Sequence, residues 1–251
     1  MTQSSFEARL RDILRLYEVL AELQTAVGGK RTLRRANGRM DWPKRGVYFF
    51  FEPGEERTTS GTGLRVVRVG THALKARSRS TLWGRLRQHR GPVSGSNPGG
   101  GNHRGSVFRL HVGTALIGKG DWPDEVTRRW GVGSGGGSCV RERELPLERA
   151  VSEHIRRMPL LWVGVLDEPG PKSQRGHIER NAIALLSNCS SRREPIDPPS
   201  ACWLGRWAAS GKIRCSGLWN VAHVMKGYDP RFLDVLQGYV HGPRLQISSE
   251  K

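Results

Sequence analysis

The sequence lacks several features that define common protein classes. It has four cysteines and no CxxC pair, so it does not show the ligand spacing of a structural zinc site. It also has no long apolar run and no basic amphipathic helix, which argues against a membrane protein. The charged, amphipathic N-terminus does not follow the pattern of a signal peptide. These absences predict a cytoplasmic protein with free thiols.

Acidic residues are few in comparison with basic ones. The chain has 23 Asp and Glu against 41 Lys and Arg, for a formal net charge of +18. An excess of this size favours a polyanionic partner, with nucleic acid as the first candidate and an anionic membrane surface as the second. The alternative is a basic surface that only aids solubility. With 251 residues, the chain is long enough for one large domain or for a domain with extensions.

Hydrophobic periodicity and turn residues divide the chain into helices, strands and loops. Helices are predicted over residues 4–27, 81–90, 145–158, the later part of 173–188 and 230–240. Strands are predicted over residues 46–52, 65–72, 106–117 and 160–168. A basic, flexible link is predicted at 28–40, and the Gly-rich stretch 118–138 is a candidate loop or lid.

The first two predicted strands carry polar side chains that could meet. Successive side chains of a strand point to opposite faces of the sheet. Tyr48 lies on one face of the first strand. Arg68 and His72 share a face of the second strand, and Val67 and Val69 share the other face. If both polar faces look into one cleft, Tyr48, Arg68 and His72 converge there.

Two predicted helices carry further candidates. Arg85 and His89 are four residues apart and stack on one face of the helix 81–90, next to its apolar stripe. We therefore expect both at the rim of the surface on which this helix packs, although a solvated basic helix is the alternative. Glu179 falls on an apolar helix face, where a carboxylate is costly without a partner or a metal. Its alternative role is a structural Glu–Arg pair.

These motifs, in this order, resemble those of the GIY-YIG nuclease superfamily. The sequence GVY at 46–48 is similar to its first motif, and RVG at 68–70 is similar to its second. The superfamily's helix arginine, the histidine four residues later and the metal-binding glutamate are matched by Arg85, His89 and Glu179. The resemblance covers roughly residues 45–190.

The resemblance implies an α/β (α+β) fold with a small, mainly antiparallel sheet flanked by helices. It also implies three parts of the chain. Residues 1–40 would form an N-terminal helix and basic linker, and residues 41–190 would form the GIY-YIG-like nuclease domain. Residues 191–251 would form a C-terminal extension packed on that domain.

The resemblance also implies a divalent-metal-dependent endonuclease that hydrolyses DNA phosphodiester bonds. Glu179 would bind Mg²⁺ or Mn²⁺, and Arg85 would stabilise the charge of the phosphate. Tyr48 would accept a proton from the attacking water, with His89 assisting. A phenol is a poor base at neutral pH, so Tyr48 needs positive charge nearby, which Arg68 could supply.

The sequence departs from the superfamily pattern at two places. The tyrosine of the second motif is replaced by Arg68, which cannot act as a base but could hold a phosphate. The superfamily usually places an asparagine after the glutamate. Asn188 is the nearest match, and it could join the site only if the helix ends before it. Asn220 is a rival candidate without a spacing argument.

DNA, expected to be double-stranded, is the implied partner. Phosphate contacts are predicted for five arginines in or beside the proposed site: Arg77, Arg79, Arg87, Arg90 and Arg104. One alternative is a catalytically inactive nucleic-acid-binding module of the same fold. Another is a basic structural or ribosome-associated protein. The sequence leaves open whether the protein acts as a monomer or as a homodimer.

Overall fold

A four-stranded antiparallel sheet with helices on both faces organises the described part of the chain. The computed structural model describes residues 3–133, 137–189 and 194–242. Its strands are β1 (Arg31–Thr32), β2 (Gly46–Glu56), β3 (Leu64–Gly70) and β4 (Pro159–Gly164), in the order β1-β4-β2-β3. Its helices are α1 (Gln3–Ala26), α2 (Leu82–Arg90), α3 (Val107–Lys119), α4 (Asp124–Arg129), α5 (Ser138–Arg157), α6 (Gln174–Leu186), α7 (Gly211–Ser216) and α8 (Phe232–His241). Short 3₁₀ helices lie at His103–Gly105 and Leu204–Trp207. The predicted fold class is confirmed.

The strand β2 separates two hydrophobic clusters because both of its faces are apolar. Val47 and Phe49 pack in one cluster, together with α1, α6 and α8. Tyr48 and Phe50 pack in the other, together with α2, α3 and α5. A strand covered on both faces needs apolar residues at nearly every position, as the run VYFFF provides. Tyr48 is therefore the one polar side chain within the VYFFF run.

The register between β2 and β3 contains a bulge that changes the predicted faces. Phe50 pairs with Arg68, but Phe51 pairs with Val66, so Val67 is an extra residue on β3. A bulge of this kind turns two successive side chains towards the same side of the sheet. Val67 consequently packs in the cluster of Phe50, and its predicted position on the face of Val69 is wrong.

The predicted strand at 106–117 is wrong, because this segment forms helix α3. Ser106 caps the helix by accepting a hydrogen bond from the backbone N–H of Arg109 at 3.3 Å. Phe108, Val112 and Ala115 are buried at spacings of four and three residues, which is a helical period. The β-branched residues of this segment favour a strand, but its capping serine and its apolar stripe favour the helix that forms.

The segment before β2 is not the flexible link that its composition suggests. It contains β1, which pairs with β4, and it buries Leu33 and Ala36 completely or nearly so. The backbone N–H of Arg34 donates to the carbonyl of Arg156 at 3.1 Å and ties the segment to the end of α5. The Gly-rich stretch 118–138 contains helix α4, and residues 134–136 of that candidate lid lie outside the described residues.

The edge of the sheet at β3 is closed by a C-terminal segment. The backbone N–H of Trp219 donates to the carbonyl of Val67 at 2.7 Å. The side chain of Asn220 accepts from the N–H of Val69 at 3.1 Å and donates to its carbonyl at 2.8 Å. Such pairing satisfies backbone groups that an edge strand would otherwise expose. Residues after 191 therefore help to build the polar end of β3.

Two of the four cysteines form a disulfide, so the prediction of free thiols is wrong for this pair. Cys189 and Cys215 are bonded, whereas Cys139 and Cys202 are free and exposed. The backbone N–H of Asn188 donates to the carbonyl of Ser216 at 3.1 Å, which brings the end of α6 beside α7. Among the described residues, no helix is both long enough and apolar enough to cross a membrane.

Removing this disulfide is expected to lower the free energy of unfolding by about 3 kcal/mol, because it closes a long loop in the unfolded chain. The two cysteines are 26 residues apart. The double variant Cys189→Ser/Cys215→Ser would be compared with the parent protein by denaturant unfolding without reductant. The matched control is Cys139→Ser/Cys202→Ser, which should unfold like the parent. Equal stability of the two double variants would contradict the expectation.

Candidate active site

A buried hydrogen-bonded chain links the first strand motif to the helix motif. The hydroxyl of Tyr48 lies 2.8 Å from Nε2 of His89, and Nδ1 of His89 lies 2.8 Å from the hydroxyl of Ser106. Tyr48 and His89 are both completely buried. The predicted position of His89 at the rim is therefore wrong, because α2 turns this residue into the sheet-facing core. The phenol and the imidazole form one proton-sharing pair.

Helix α2 holds its two functional side chains differently. It begins after Thr81, whose hydroxyl accepts the backbone N–H of Gly84 at 3.1 Å. Arg85 is partly exposed and donates to the carbonyl of Gly105 at 3.2 Å. Burial, followed by the charges of Arg85 and Arg68, holds the pKa of His89 well below its ordinary value. His89 is thus neutral at physiological pH, with one ring nitrogen as donor and the other as acceptor.

Arg68 lies at the centre of the site. The residue is 7% exposed, and its guanidinium donates to the carbonyl of Trp219 at 2.6 Å and stacks over the ring of Phe108. Burial lowers the pKa of Arg68, which nevertheless stays protonated. The ring of Phe108 also contacts His89, with ring centroids 5.4 Å apart. Arg68 therefore lies beside the Tyr48–His89 pair and against the Trp219 segment.

Glu179 is a carboxylate with little compensation. Among the described residues, its hydrogen-bond donor is the backbone N–H of Thr71, at 3.2 Å from Oε1. Burial raises the pKa of Glu179, while Arg68 and Arg85 act in the opposite direction. Within the described residues, no group of three or more His, Cys, Asp or Glu side chains is arranged to hold a metal ion. Among the described residues, Glu179 is thus not part of a preformed cluster of metal-binding side chains.

His72 reaches the site from the end of β3. Its Nδ1 lies 3.2 Å from the hydroxyl of Ser80, and its Nε2 is buried without a hydrogen-bond partner among the described residues. Burial, followed by the charge of Arg175, lowers the pKa of His72 to about 4. Arg85 also acts on this ring, which places His72 near the same surface.

Asn188 does not join the site, so its predicted role is wrong. Its amide oxygen accepts from Arg9 at 2.9 Å and from the N–H of Ile196 at 3.0 Å, and its NH₂ donates to the carbonyl of Ile196. Helix α6 ends at Leu186, about 10 Å along its axis from Glu179, and Asn188 follows two residues beyond that end. Asn220 serves the edge of β3 instead.

The five arginines predicted to contact phosphate fall into two groups. Arg77, Arg79 and Arg87 are exposed and available. Arg90 is buried, donates to the carbonyl of Ala36 and stacks over a tryptophan, so its predicted DNA contact is wrong. Arg104 makes a two-pronged ion pair with Glu144, at 2.6 and 2.8 Å, which contradicts its predicted role as a free phosphate ligand.

The structure adds residues that the sequence did not single out. His111 on α3 lies close enough to Arg68 that this charge, after burial, lowers the pKa of the histidine to about 4. Its Nε2 has no partner among the described residues. Ser106 orients His89, and Trp219 holds Arg68. His111 was not recognised from the sequence because residues 106–117 were predicted to form a strand. A helical period would have placed it on a face with Phe108.

Gly70 explains how Tyr48 fits beneath β3. Gly70 pairs with Tyr48 across the two strands. A Cβ atom at this position would overlap the phenol ring. The glycine of the second strand motif therefore leaves room for the tyrosine of the first, which is why the two motifs depend on each other.

A small antiparallel sheet flanked by helices carries the tyrosine, arginines, histidine and glutamate of the site on strands β2 and β3 and on helices α2 and α6. A family model described as the GIY-YIG domain matches residues 7–245 of the chain. The chain therefore belongs to the GIY-YIG domain family, which is generally one of endonucleases acting on DNA. Searches of curated proteins and of solved structures found no match.

Proposed function

We propose that the protein is a divalent-metal-dependent endonuclease that hydrolyses DNA phosphodiester bonds. The observation that carries the proposal is the grouping of Tyr48, His89 and Arg68: the Tyr48 hydroxyl lies 2.8 Å from His89, and the ring of Phe108 contacts both His89 and the Arg68 guanidinium. These residues are far apart along the sequence. Gathering a phenol, an imidazole and a guanidinium suits a phosphate as the ligand.

Unpartnered nitrogens at the site favour an anionic ligand. Nε of Arg68 and Nε2 of both His72 and His111 are buried without hydrogen-bond partners among the described residues. A buried polar group without a partner costs free energy, so such groups are usually satisfied or functional. The oxygens of a bound phosphate would satisfy the guanidinium, and either imidazole could donate to them from Nε2.

Tyr48 and His89 supply the proposed proton path. In the proposed arrangement, Nδ1–H of His89 donates to Ser106, which leaves Nε2 free to accept the proton of Tyr48. As Tyr48 takes a proton from the attacking water, it passes its own proton to His89. This transfer removes the need for a phenolate in the resting protein. The negative charge of the bound phosphate would offset Arg85 and Arg68 and stabilise the imidazolium. Because Tyr48 is completely buried, water reaches its hydroxyl only when the surrounding side chains shift.

Arg85 and Arg68 hold the phosphate in this proposal. Arg85 is partly exposed and can turn its guanidinium towards a ligand, whereas Arg68 is fixed by Trp219 and Phe108. A guanidinium can donate two parallel hydrogen bonds to phosphate oxygens. Both positive charges stabilise the negative charge that develops on the phosphate during attack. The arginine that replaces the second-motif tyrosine thus acts as a phosphate ligand.

Glu179 fits a divalent cation. Its carboxylate has one backbone donor among the described residues and a raised pKa, so a hard cation would stabilise its ionised form. Mg²⁺ is usually held by one or two carboxylates together with waters and substrate phosphates, and Mn²⁺ accepts the same oxygen ligands. When bound there, the ion would supply positive charge for the leaving oxygen. Glu179 would be the protein ligand that holds it.

The proposal includes double-stranded DNA as the partner. Arg77, Arg79 and Arg87 would contact its phosphates in addition to the site residues, and their exposure supports this role. The Cys189–Cys215 disulfide is the observation that counts against a strongly reducing compartment.

The test is cleavage of supercoiled plasmid by the purified protein with Mg²⁺, with Mn²⁺ and with a chelator. Nicked or linear product that forms with either metal ion and disappears with the chelator is the expected result. A protein that binds the plasmid without cleaving it under any of these conditions would be an inactive binding module of the same fold, and the nuclease proposal would be wrong.

A further inference from the structure

A second concentration of positive charge lies at the β1 edge of the sheet. A cavity of about 620 Å³ opens there between β1, the end of α1 and the end of α5. We call it the β1-edge cavity. Its lining includes six cationic side chains: Lys30, Arg31, Arg34, Arg35, Arg156 and Arg157. No site residue of the proposed nuclease centre lines it.

These charges are poorly compensated. Glu153 is the carboxylate that pairs with the group, and it contacts both Arg34 and Arg157. For Arg31 and Arg35, which are exposed, the described residues provide no acidic partner. Holding six cations against one carboxylate raises the free energy of the folded chain through self-repulsion. An anionic ligand would reverse that cost.

The cavity is also a fixed structure. Backbone hydrogen bonds of Arg34 to Arg156 and of Arg35 to Thr32 hold its loop in place. The guanidinium of Arg156 donates to the carbonyls of Arg90 and Pro92, at 2.9 and 2.7 Å. Cations on a pre-formed concave surface lose less conformational freedom on binding than cations on a mobile tail. The cavity therefore suits a ligand with several phosphate groups.

The register of the sheet separates this cavity from the catalytic residues. Arg31 pairs with Leu160, Leu160 pairs with Phe50, and Phe50 pairs with Arg68. Arg31 and Arg68 are thus the two ends of one row across the sheet. Three strand spacings put their Cα atoms about 14 Å apart. Leu160 and Phe50 in the middle of this row are buried, so a duplex that reaches both ends would run over the protein surface and span at least about four base steps.

We propose that the β1-edge cavity binds the sugar-phosphate backbone of duplex DNA at a point several base pairs from the phosphate that is cleaved. The inference rests on the proposed function in taking DNA as the ligand. In this arrangement the cavity supplies affinity and register, and the residues around Arg68 supply the chemistry. Contacts of this kind carry no base specificity by themselves.

The test compares two double variants that each remove two exposed arginines. Arg31→Gln/Arg35→Gln changes the cavity, and the control Arg11→Gln/Arg129→Gln removes the same charge elsewhere. Binding to uncleaved duplex DNA without metal is measured over a salt series. The cavity variant should bind about tenfold more weakly, and its salt slope should fall by about 2, close to 0.9 for each lost phosphate contact. The control should keep the parent slope.

A third variant tests the opposite direction. Glu153→Gln frees Arg34 and Arg157, so it should tighten DNA binding several-fold. In cleavage assays, the cavity variant should have a higher KM and the same kcat as the parent protein. The reason is that the contacts between the cavity and DNA are equally strong in the ground state and the transition state. Cavity and control variants with the same slope, or a slope change seen with duplex RNA and not with DNA, would overturn the proposal. Because DNA binding is measured without metal, the binding result can be interpreted even if the protein does not cleave DNA.

Discussion

Glu179→Gln is expected to lower the rate of metal-dependent DNA cleavage by about 10³-fold, the scale of losing one electrostatic group from a catalytic site. Glutamine keeps the shape of the side chain and its contact with Thr71 but cannot hold a cation by charge. The measurement is single-turnover cleavage at saturating DNA and metal. DNA binding without metal should stay the same or tighten, because a negative charge has been removed next to the phosphate.

The matched control for this variant is Glu56→Gln. Glu56 is an exposed carboxylate at the end of β2, so its replacement changes the net charge by the same amount. It should cleave at the parent rate. A Glu179→Gln protein that also cleaves at the parent rate would show that this acid is not the metal ligand.

The same substitution has a predictable effect on stability. Burial raises the pKa of Glu179, so folding disfavours its ionised form. When the pKa of a carboxyl group is higher in the folded chain than in the unfolded chain, the group stabilises the fold fully at a pH below the unfolded pKa. This stabilisation is lost as the pH rises through the folded pKa. The free energy of unfolding of Glu179→Gln should therefore rise relative to that of the parent protein between acid and neutral pH. A shift in favour of the parent over that range would contradict it.

Tyr48→Phe is expected to lower cleavage by about 10²- to 10⁴-fold, the usual worth of a positioned proton acceptor. The ring still fills the space beside Gly70, but His89 loses its partner at Nε2. Because the hydroxyl is buried and bonded to an imidazole and not to solvent, DNA affinity should change little. Full cleavage by this variant would show that another group takes the proton from water.

Tyr17→Phe is the control that separates chemistry from stability. Tyr17 is also a buried tyrosine, and its hydroxyl accepts the backbone N–H of Val66 at 3.0 Å. It packs in the hydrophobic cluster on the opposite face of the sheet from Tyr48. Both variants leave a buried polar group unpaired, which costs about 1–3 kcal/mol of stability. Only Tyr48→Phe should also lose cleavage, as measured beside thermal unfolding of each protein.

Local patterns were enough to predict most of the sheet and most of the helices. The apolar run around Phe49 and the helical period of α6 each indicate their element without tertiary information. The pattern failed at 106–117, where β-branched residues and a helical stripe compete. Burial of Phe108 and Val112 against the sheet decides that competition in favour of the helix.

The candidate site divides in a similar way. Tyr48, Arg85, His89 and Glu179 could be named because the order of their motifs resembles that of the GIY-YIG superfamily, whereas the apolar pattern around each residue left a structural role open. The position of His111 near Arg68 and the position of Asn188 away from the site could not be predicted, since both depend on how separate elements pack. Arg90 and Arg104 show the same limit, because a sequence does not reveal which cations meet a carbonyl or a carboxylate inside the fold.

By itself, the sequence determined the basic charge of this protein, the polar residues that interrupt its strands and helices, and the order of its motifs. Only the tertiary structure decided which of those residues meet. The bulge at Val67, the room left by Gly70 and the Trp219 segment along β3 fix where Tyr48 and the guanidinium of Arg68 lie. The physical reason is that side-chain period is local, whereas register, packing and pairing of charges depend on contacts between distant parts of the chain.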